Sequence, residues 1–193
     1  MQRVCVFCGA NNGTQPVFQQ KARALGEVLA KEGLGVVYGG AKVGLMGAVA
    51  DAALSHGGEV IGVIPEALMK KELAHEGLAA LHVVKSMHER KAMMADLADG
   101  FIALPGGFGT MDETFEIVTW SQLGFHKKPC AVLDVEDYYE HLKKFIENMI
   151  DNGFAKPGHA DLLLHGDEPL ALLKQMRDFE WQPVKKWTDQ DIR

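Results

Sequence analysis

Short apolar or β-branched runs alternate along the chain with segments of helical periodicity, and that alternation admits few architectures. The runs are VCVFC at 4–8, GVVY at 35–38, EVIGVI at 59–64, LHVV at 81–84, GFIAL at 100–104 and CAVLD at 130–134. Between and after them the spacing of apolar residues predicts helices over 15–32, 44–56, 87–98, 110–123, 137–151 and 168–178, the first stopped by Gly33, the usual C-terminal punctuation. Strands that alternate with helices signal a parallel α/β sheet and not a sandwich. The stretch 65–80 follows neither period and reads as a long active-site loop or a broken helix. In such a sheet, ligands bind beyond the carboxyl ends of the strands, so the strand-to-helix loops are where function is expected.

A chain of 193 residues with 47% hydrophobic content can bury one sizeable core, which predicts a single domain over 1–180 and a tail of uncertain order over 181–193. The formal charge of −6 provides no chain-wide basic field for a nucleic-acid polymer. RVCVFCG at the N-terminus lacks a basic leader and no 18-residue apolar run follows, so neither a signal peptide nor a membrane span is expected and the location expected is the cytoplasm. Cys5 and Cys8 form a CxxC inside a strand, where alternation turns them to opposite faces, and no second CxxC exists to complete a zinc site. Of the eight scattered histidines, neither His82, in a strand, nor His88, beside Arg90, has partners at metal-ligand spacing, and most read as structural or surface residues. No metal is therefore expected.

Three of the strand-to-helix loops are rich in glycine: CGANNG at 8–13, YGGAKVG at 38–44 and PGGFG at 105–109. Gly9, Gly39, Gly40 and Gly106 are the positions at which such loops would offer backbone amides to an anion, helped by the helix N-terminus that follows. The GxxxxG frame from Gly39 to Gly44 is followed by Leu45 and Met46, where a nucleoside-triphosphate P-loop requires Lys and Ser/Thr. The first loop lacks GxGxxG and the second strand ends in Tyr38-Gly39 with no acid for a ribose, which argues against a dinucleotide. A mononucleotide or sugar phosphate remains.

The stretch PGGFGTMDE, 105–113, carries most of the chemistry. Thr110 and Glu113 have the spacing of a capping box, in which threonine accepts from the third helical amide and glutamate reaches back to the cap. That alone accounts neither for the glycines before them nor for MHERK at 87–91, where Arg90 and Lys91 add positive charge, nor for Glu116 one turn beyond Glu113.

PGGFGTMDE resembles the PGGxGTxxE signature of the LOG ("lonely guy") family, the cytokinin riboside 5′-monophosphate phosphoribohydrolases, members of which have often been labelled lysine decarboxylases. The likeness runs from CVFCG through VYGGAKVGLMG and MHERK to the helix near 120. The resemblance implies a Rossmann-like, doubly wound parallel sheet flanked by helices, a homodimer, and hydrolysis of the bond between base and ribose 5-phosphate in AMP or N6-prenylated AMP, with no metal or redox cofactor. It places the catalytic pair on Arg90 and Glu113. It places nucleotide binding on Glu72, on Arg90 and Lys91, on Gly107, Phe108, Gly109, Thr110, Met111, Asp112 and Glu113, and on Thr119. Ala10-Asn11 stands where relatives commonly carry serines, and Ser86 where many carry aspartate.

The chemistry suits those residue types. N-glycoside cleavage passes through a ribosyl cation that a carboxylate stabilises, and an adjacent arginine keeps that carboxylate ionised. A non-catalytic nucleotide or cofactor carrier of the same fold is the competing class. It would use the glycine amides without needing the charged pair. Amino-acid decarboxylation would require pyridoxal phosphate on a lysine, and no lysine stands in a recognisable setting for it. Methionines such as Met87, Met93, Met94 and Met111 read as fillers of helix faces and of a contact between copies.

Overall fold

The computed structural model describes residues 1–69 and 74–183. Among these, seven parallel strands alternate with helices in the order β1 (Arg3–Phe7), α1 (Pro16–Lys31), β2 (Gly35–Tyr38), α2 (Gly44–Ser55), β3 (Val60–Pro65), α3 (Glu66–Met69), β4 (Ala80–Val84), α4 (Met87–Leu97), β5 (Gly100–Ala103), α5 (Phe108–Gln122), β6 (Cys130–Leu133), α6 (Glu140–Asp151), α7 (Pro157–Ala160), β7 (Leu163–Gly166) and α8 (Pro169–Arg177). The spatial order is β4-β3-β2-β1-β5-β6-β7. The chain builds outward from β1 in one direction, then returns to lay β5 on the other side of β1 and builds outward again.

Strand alternation feeds two apolar layers. Val4, Val6, Val36, Tyr38, Ile102 and Leu104 face α1, α2 and α8, which contribute Leu25, Leu29, Val49 and Leu172. Cys5, Phe7, Val37, Val63, Phe101 and Val132 face α4 and α5, which contribute Met94 and Ile117. Each large side chain buried in this way contributes roughly 1.5–3 kcal/mol. Coverage of both faces makes this the Rossmann-like, doubly wound sheet that the resemblance implies. Cys5 and Cys8 lie on opposite faces, and burial, followed by the negative field of Glu113, pushes both thiols above the ordinary range. Neither is a thiolate nucleophile.

Two elements depart from the sequence reading. Leu163–Gly166 is a seventh strand, at the sheet edge beside β6, and Pro157–Ala160 is a helical turn. Within the irregular stretch, Glu66–Met69 forms one turn of helix and Ala74 makes an antiparallel bridge to Ala41. Trp181, placed at sequence level in the tail, packs back: its indole N–H donates to the Ser121 carbonyl at 3.1 Å and Lys127 lies 5.2 Å over its ring. Residues 184–193, the rest of that tail, lie outside the described residues. No helix among the described residues is long and apolar enough to cross a membrane.

Candidate active site

Because β1 and β5 are neighbours whose following loops diverge to opposite sides, a crevice opens at their carboxyl ends, the usual ligand position in open α/β sheets. The two loops are tied where they separate: Gly9 N–H donates to the Pro105 carbonyl at 3.1 Å and Leu104 N–H to that of Phe7 at 2.9 Å. A cleft of about 460 Å³ lies there. Among the residues expected at the site, it is lined by Gly9, Arg90, Gly106, Gly107, Gly109, Thr110, Asp112 and Glu113.

The start of α5 forms one wall. Gly107 is its N-cap and supplies no side-chain hydrogen bond, while the first-turn amides have no acceptor inside the helix. They and the helix dipole suit an anion. The capping box expected at Thr110 and Glu113 is not what starts this helix. With α5 beginning at Phe108, Thr110 is already in the first turn and buried, and Glu113 is a turn further on, directed to the cleft. Gly106 has to lack a side chain, since a Cβ there would lie 2.1 Å from Thr110 Oγ1. A side-chain cap occurs instead at α4, where Ser86 Oγ accepts from Glu89 N–H at 3.1 Å, and Glu89 accepts from the N–H of Lys85, the residue before the cap, at 2.8 Å. Ser86, the departure before MH, is thus a competent N-cap.

That cap fixes the first turns of α4, from which Arg90 enters the cleft. Only 5% of Arg90 is exposed. Its Nε donates to the Val63 carbonyl at 3.0 Å and its Nη2 to that of Gly39 at 2.9 Å. Two backbone carbonyls therefore aim the guanidinium and offset part of the cost of burying its charge. Arg90 and Glu113 both line this one cleft.

Other expected positions lie elsewhere. Gly39 and Gly40 do not line the cleft: the first holds Arg90, and the second takes φ +78° against Ile64 and Leu81. The second glycine loop serves as an anchor, and its following helix reaches the cleft through Leu45 and Met46. Gly44, at φ +61°, would place a Cβ 2.2 Å from the Ala10 carbonyl carbon, so glycine there lets α2 dock on the first loop, where Leu45 N–H bonds the Gly9 carbonyl at 3.0 Å. Lys91 faces α5, 3.1 Å from Asp112 and 3.0 Å from Glu116. Burial opposes its charge, yet the hydrogen bonds to Glu116 and Asp112 prevail and raise its pKa. Phe108, Met111 and Thr119 are outside this chain's cleft, and Glu72 is outside the described residues.

The sequence reading did not single out Phe18, Leu68 or Tyr138, which with Leu45, Met46 and Met87 make the cleft's apolar wall. Only the fold reveals Phe18 and Tyr138 as a pair, with ring centroids 6.2 Å apart edge to face. Among the described residues, no group of three or more His, Cys, Asp or Glu could hold a metal ion.

Comparison with known proteins agrees with this geometry. Residues 46–176 match the family model described as "Possible lysine decarboxylase". The chain is 53% identical over 155 residues to the cytokinin riboside 5′-monophosphate phosphoribohydrolase of Rhodococcoides fascians, covering 80% of this chain and 78% of that one. It is 43% identical over 179 residues to one of the enzymes of that name from Arabidopsis thaliana, covering 93% and 82%. Among solved structures, the molybdenum cofactor carrier protein of Chlamydomonas reinhardtii superposes with a TM-score of 0.70 at 20% identity, covering 92% of this chain and 99% of that one, a likeness of fold. With identities of this size over most of both sequences, the chain belongs to the LOG family, the cytokinin riboside 5′-monophosphate phosphoribohydrolases.

Proposed function

We propose that this protein hydrolyses the N-glycosidic bond of nucleoside 5′-monophosphates, AMP and N6-prenylated AMP among them, to the free base and ribose 5-phosphate. The observation that carries the reading is the pairing of Arg90 and Glu113 with the uncapped start of α5 across one cleft. The 5′-phosphate sits on the amides of the α5 first turn. Glu113 faces the anomeric carbon, where its charge stabilises the ribosyl cation and orients the water that adds its oxygen to C1′, while the base departs with the electron pair of the broken bond and takes up a proton. Arg90 favours the ionised carboxylate. The base rests on the apolar wall. The relatives' names support this reading over a carrier, because a carrier has no need of the charged pair.

The phosphate seat makes adenosine a poor substrate. Loss of two charge-assisted hydrogen bonds alone corresponds to roughly a hundredfold or more in kcat/KM. Incubation with AMP, prenylated AMP, CMP, GMP and adenosine, with release of ribose or its 5-phosphate measured, checks this. Equal kcat/KM for AMP and adenosine would make the α5 start a structural turn.

The working unit in this reading is a homodimer formed through α4 and α5, with 1–180 as its single domain and the cytoplasm as its location, which cell fractionation tests. Met87, Phe115, Leu123 and Phe125 are all exposed on or beside these helices, an apolar face that a second copy would cover. Thr119, exposed on α5 away from its own cleft, would then serve the partner's site. Light scattering at micromolar concentration is expected to give twice the chain mass. A fully active monomer would overturn the assembly.

A further inference from the structure

Tyr138 reaches the cleft by an unusual route. The two residues before it, Glu136 and Asp137, both adopt left-handed conformations, at φ 53° and 56°, which non-glycine residues rarely take singly and hold only when their surroundings enforce it. The enforcement is visible. Asp134 Oδ1 accepts from the N–H groups of Val135 at 2.8 Å and Tyr139 at 3.1 Å, and the buried Tyr139 hydroxyl donates to the Leu104 carbonyl at 2.7 Å. The loop after β6 is thereby pinned to the end of β5, and Tyr138 is thrown over the glycine loop, where its hydroxyl donates to the Gly106 carbonyl.

We propose that Tyr138 is a positioning residue that tethers the Gly106–Gly107 peptide and so aims the amides at the start of α5 toward the 5′-phosphate. The inference rests on the proposed phosphate seat. A peptide is planar, with its C=O and N–H on opposite sides. Holding the Gly106 oxygen therefore fixes the direction of the Gly107 N–H. Two successive glycines have wide conformational freedom, and a tether formed before binding removes part of the ordering cost from the binding step.

Tyr138→Phe keeps the ring against Phe18 and deletes only the donor. The affinity for inorganic phosphate and ribose 5-phosphate, measured calorimetrically without turnover, is expected to fall roughly three- to tenfold, the scale of one neutral hydrogen bond. KM for AMP should rise by the same factor, kcat should change by less, and the preference for AMP over adenosine should shrink accordingly. A purely packing role would leave all of these in place. If Tyr138→Phe binds phosphate as the wild type does, the tether is wrong, whatever the activity. If the wild type hydrolyses no nucleotide but the variant still binds phosphate more weakly, the proposed reaction falls and the tether stands. A wild type that binds no phosphate would overturn both.

Discussion

Replacing Glu113 by Gln is expected to slow hydrolysis of AMP by roughly a hundredfold or more, the scale of one acid–base or electrostatic group in a transition state. The exchange conserves shape and removes a charge that the ribosyl cation needs. Binding of AMP should change little, because the proposed seat holds the phosphate on amides and the base on apolar side chains. The local structure sharpens the test. Since α5 begins at Phe108 behind Gly107, Glu113 is not part of a cap, and neither Glu113→Gln nor Glu113→Ala should incur the ~0.5–2 kcal/mol that loss of a cap costs. Both variants should therefore melt close to the wild type while failing to turn over. Wild-type kcat in Glu113→Gln would leave the carboxylate without a catalytic role and favour the carrier reading. A fall in activity accompanied by an equal loss of stability would point to a structural one.

The contrast between two similar motifs shows what a sequence can and cannot give here. Ser86–Glu89 and Thr110–Glu113 share one spacing, yet only the first supplies a side-chain N-cap. The difference is made by the glycines at 106 and 107, which allow the chain to enter the helix three residues earlier than a threonine cap at 110 would. Apolar periodicity was enough to place β1 to β6: five of these are buried over nearly all their length, and β4, half-buried at one sheet edge, still carries the apolar run Leu81–Val84. It could not place β7, a four-residue edge strand only half-buried over most of its length and preceded by a single helical turn. Strand order has no local signal at all. That β5 returns beside β1 is what brings Gly9 to Pro105, and it also separates Gly39 and Gly40 from the proposed phosphate seat, since β2 lies on the far side of β1. Lys91 follows Arg90 in the chain, but one helical residue is about 100° of rotation. That step sends the lysine to Asp112 and Glu116 and the arginine into the cleft.

Arg90 invites a test in which the functional group is moved without being altered. Arg90→Lys should cost roughly a hundredfold or more in turnover, because a lysine presents a point charge on a flexible stem and cannot reproduce two directed bonds to Val63 and Gly39 while facing the cleft. It would also leave at least one buried carbonyl without its donor, a penalty of about 1–3 kcal/mol, so reduced stability alone does not establish the role. Gly39→Ala separates the two effects. A Cβ at that position would lie 2.2 Å from Arg90 Nη2 and 2.9 Å from Met46 Sδ, so the guanidinium and the thioether have to yield, both being ends of flexible side chains. Gly39 does not line the cleft, and Gly39→Ala is nevertheless expected to lower kcat by about tenfold or more, the scale expected when a catalytic group is displaced by an ångström. The double variant decides the mechanism. If Gly39 acts by aiming Arg90, Gly39→Ala should add little once Arg90 is already Lys, because the group it displaces is gone. Multiplicative losses in the double variant would mean that Gly39 shapes the cleft by another route and that Arg90 does not depend on its anchor.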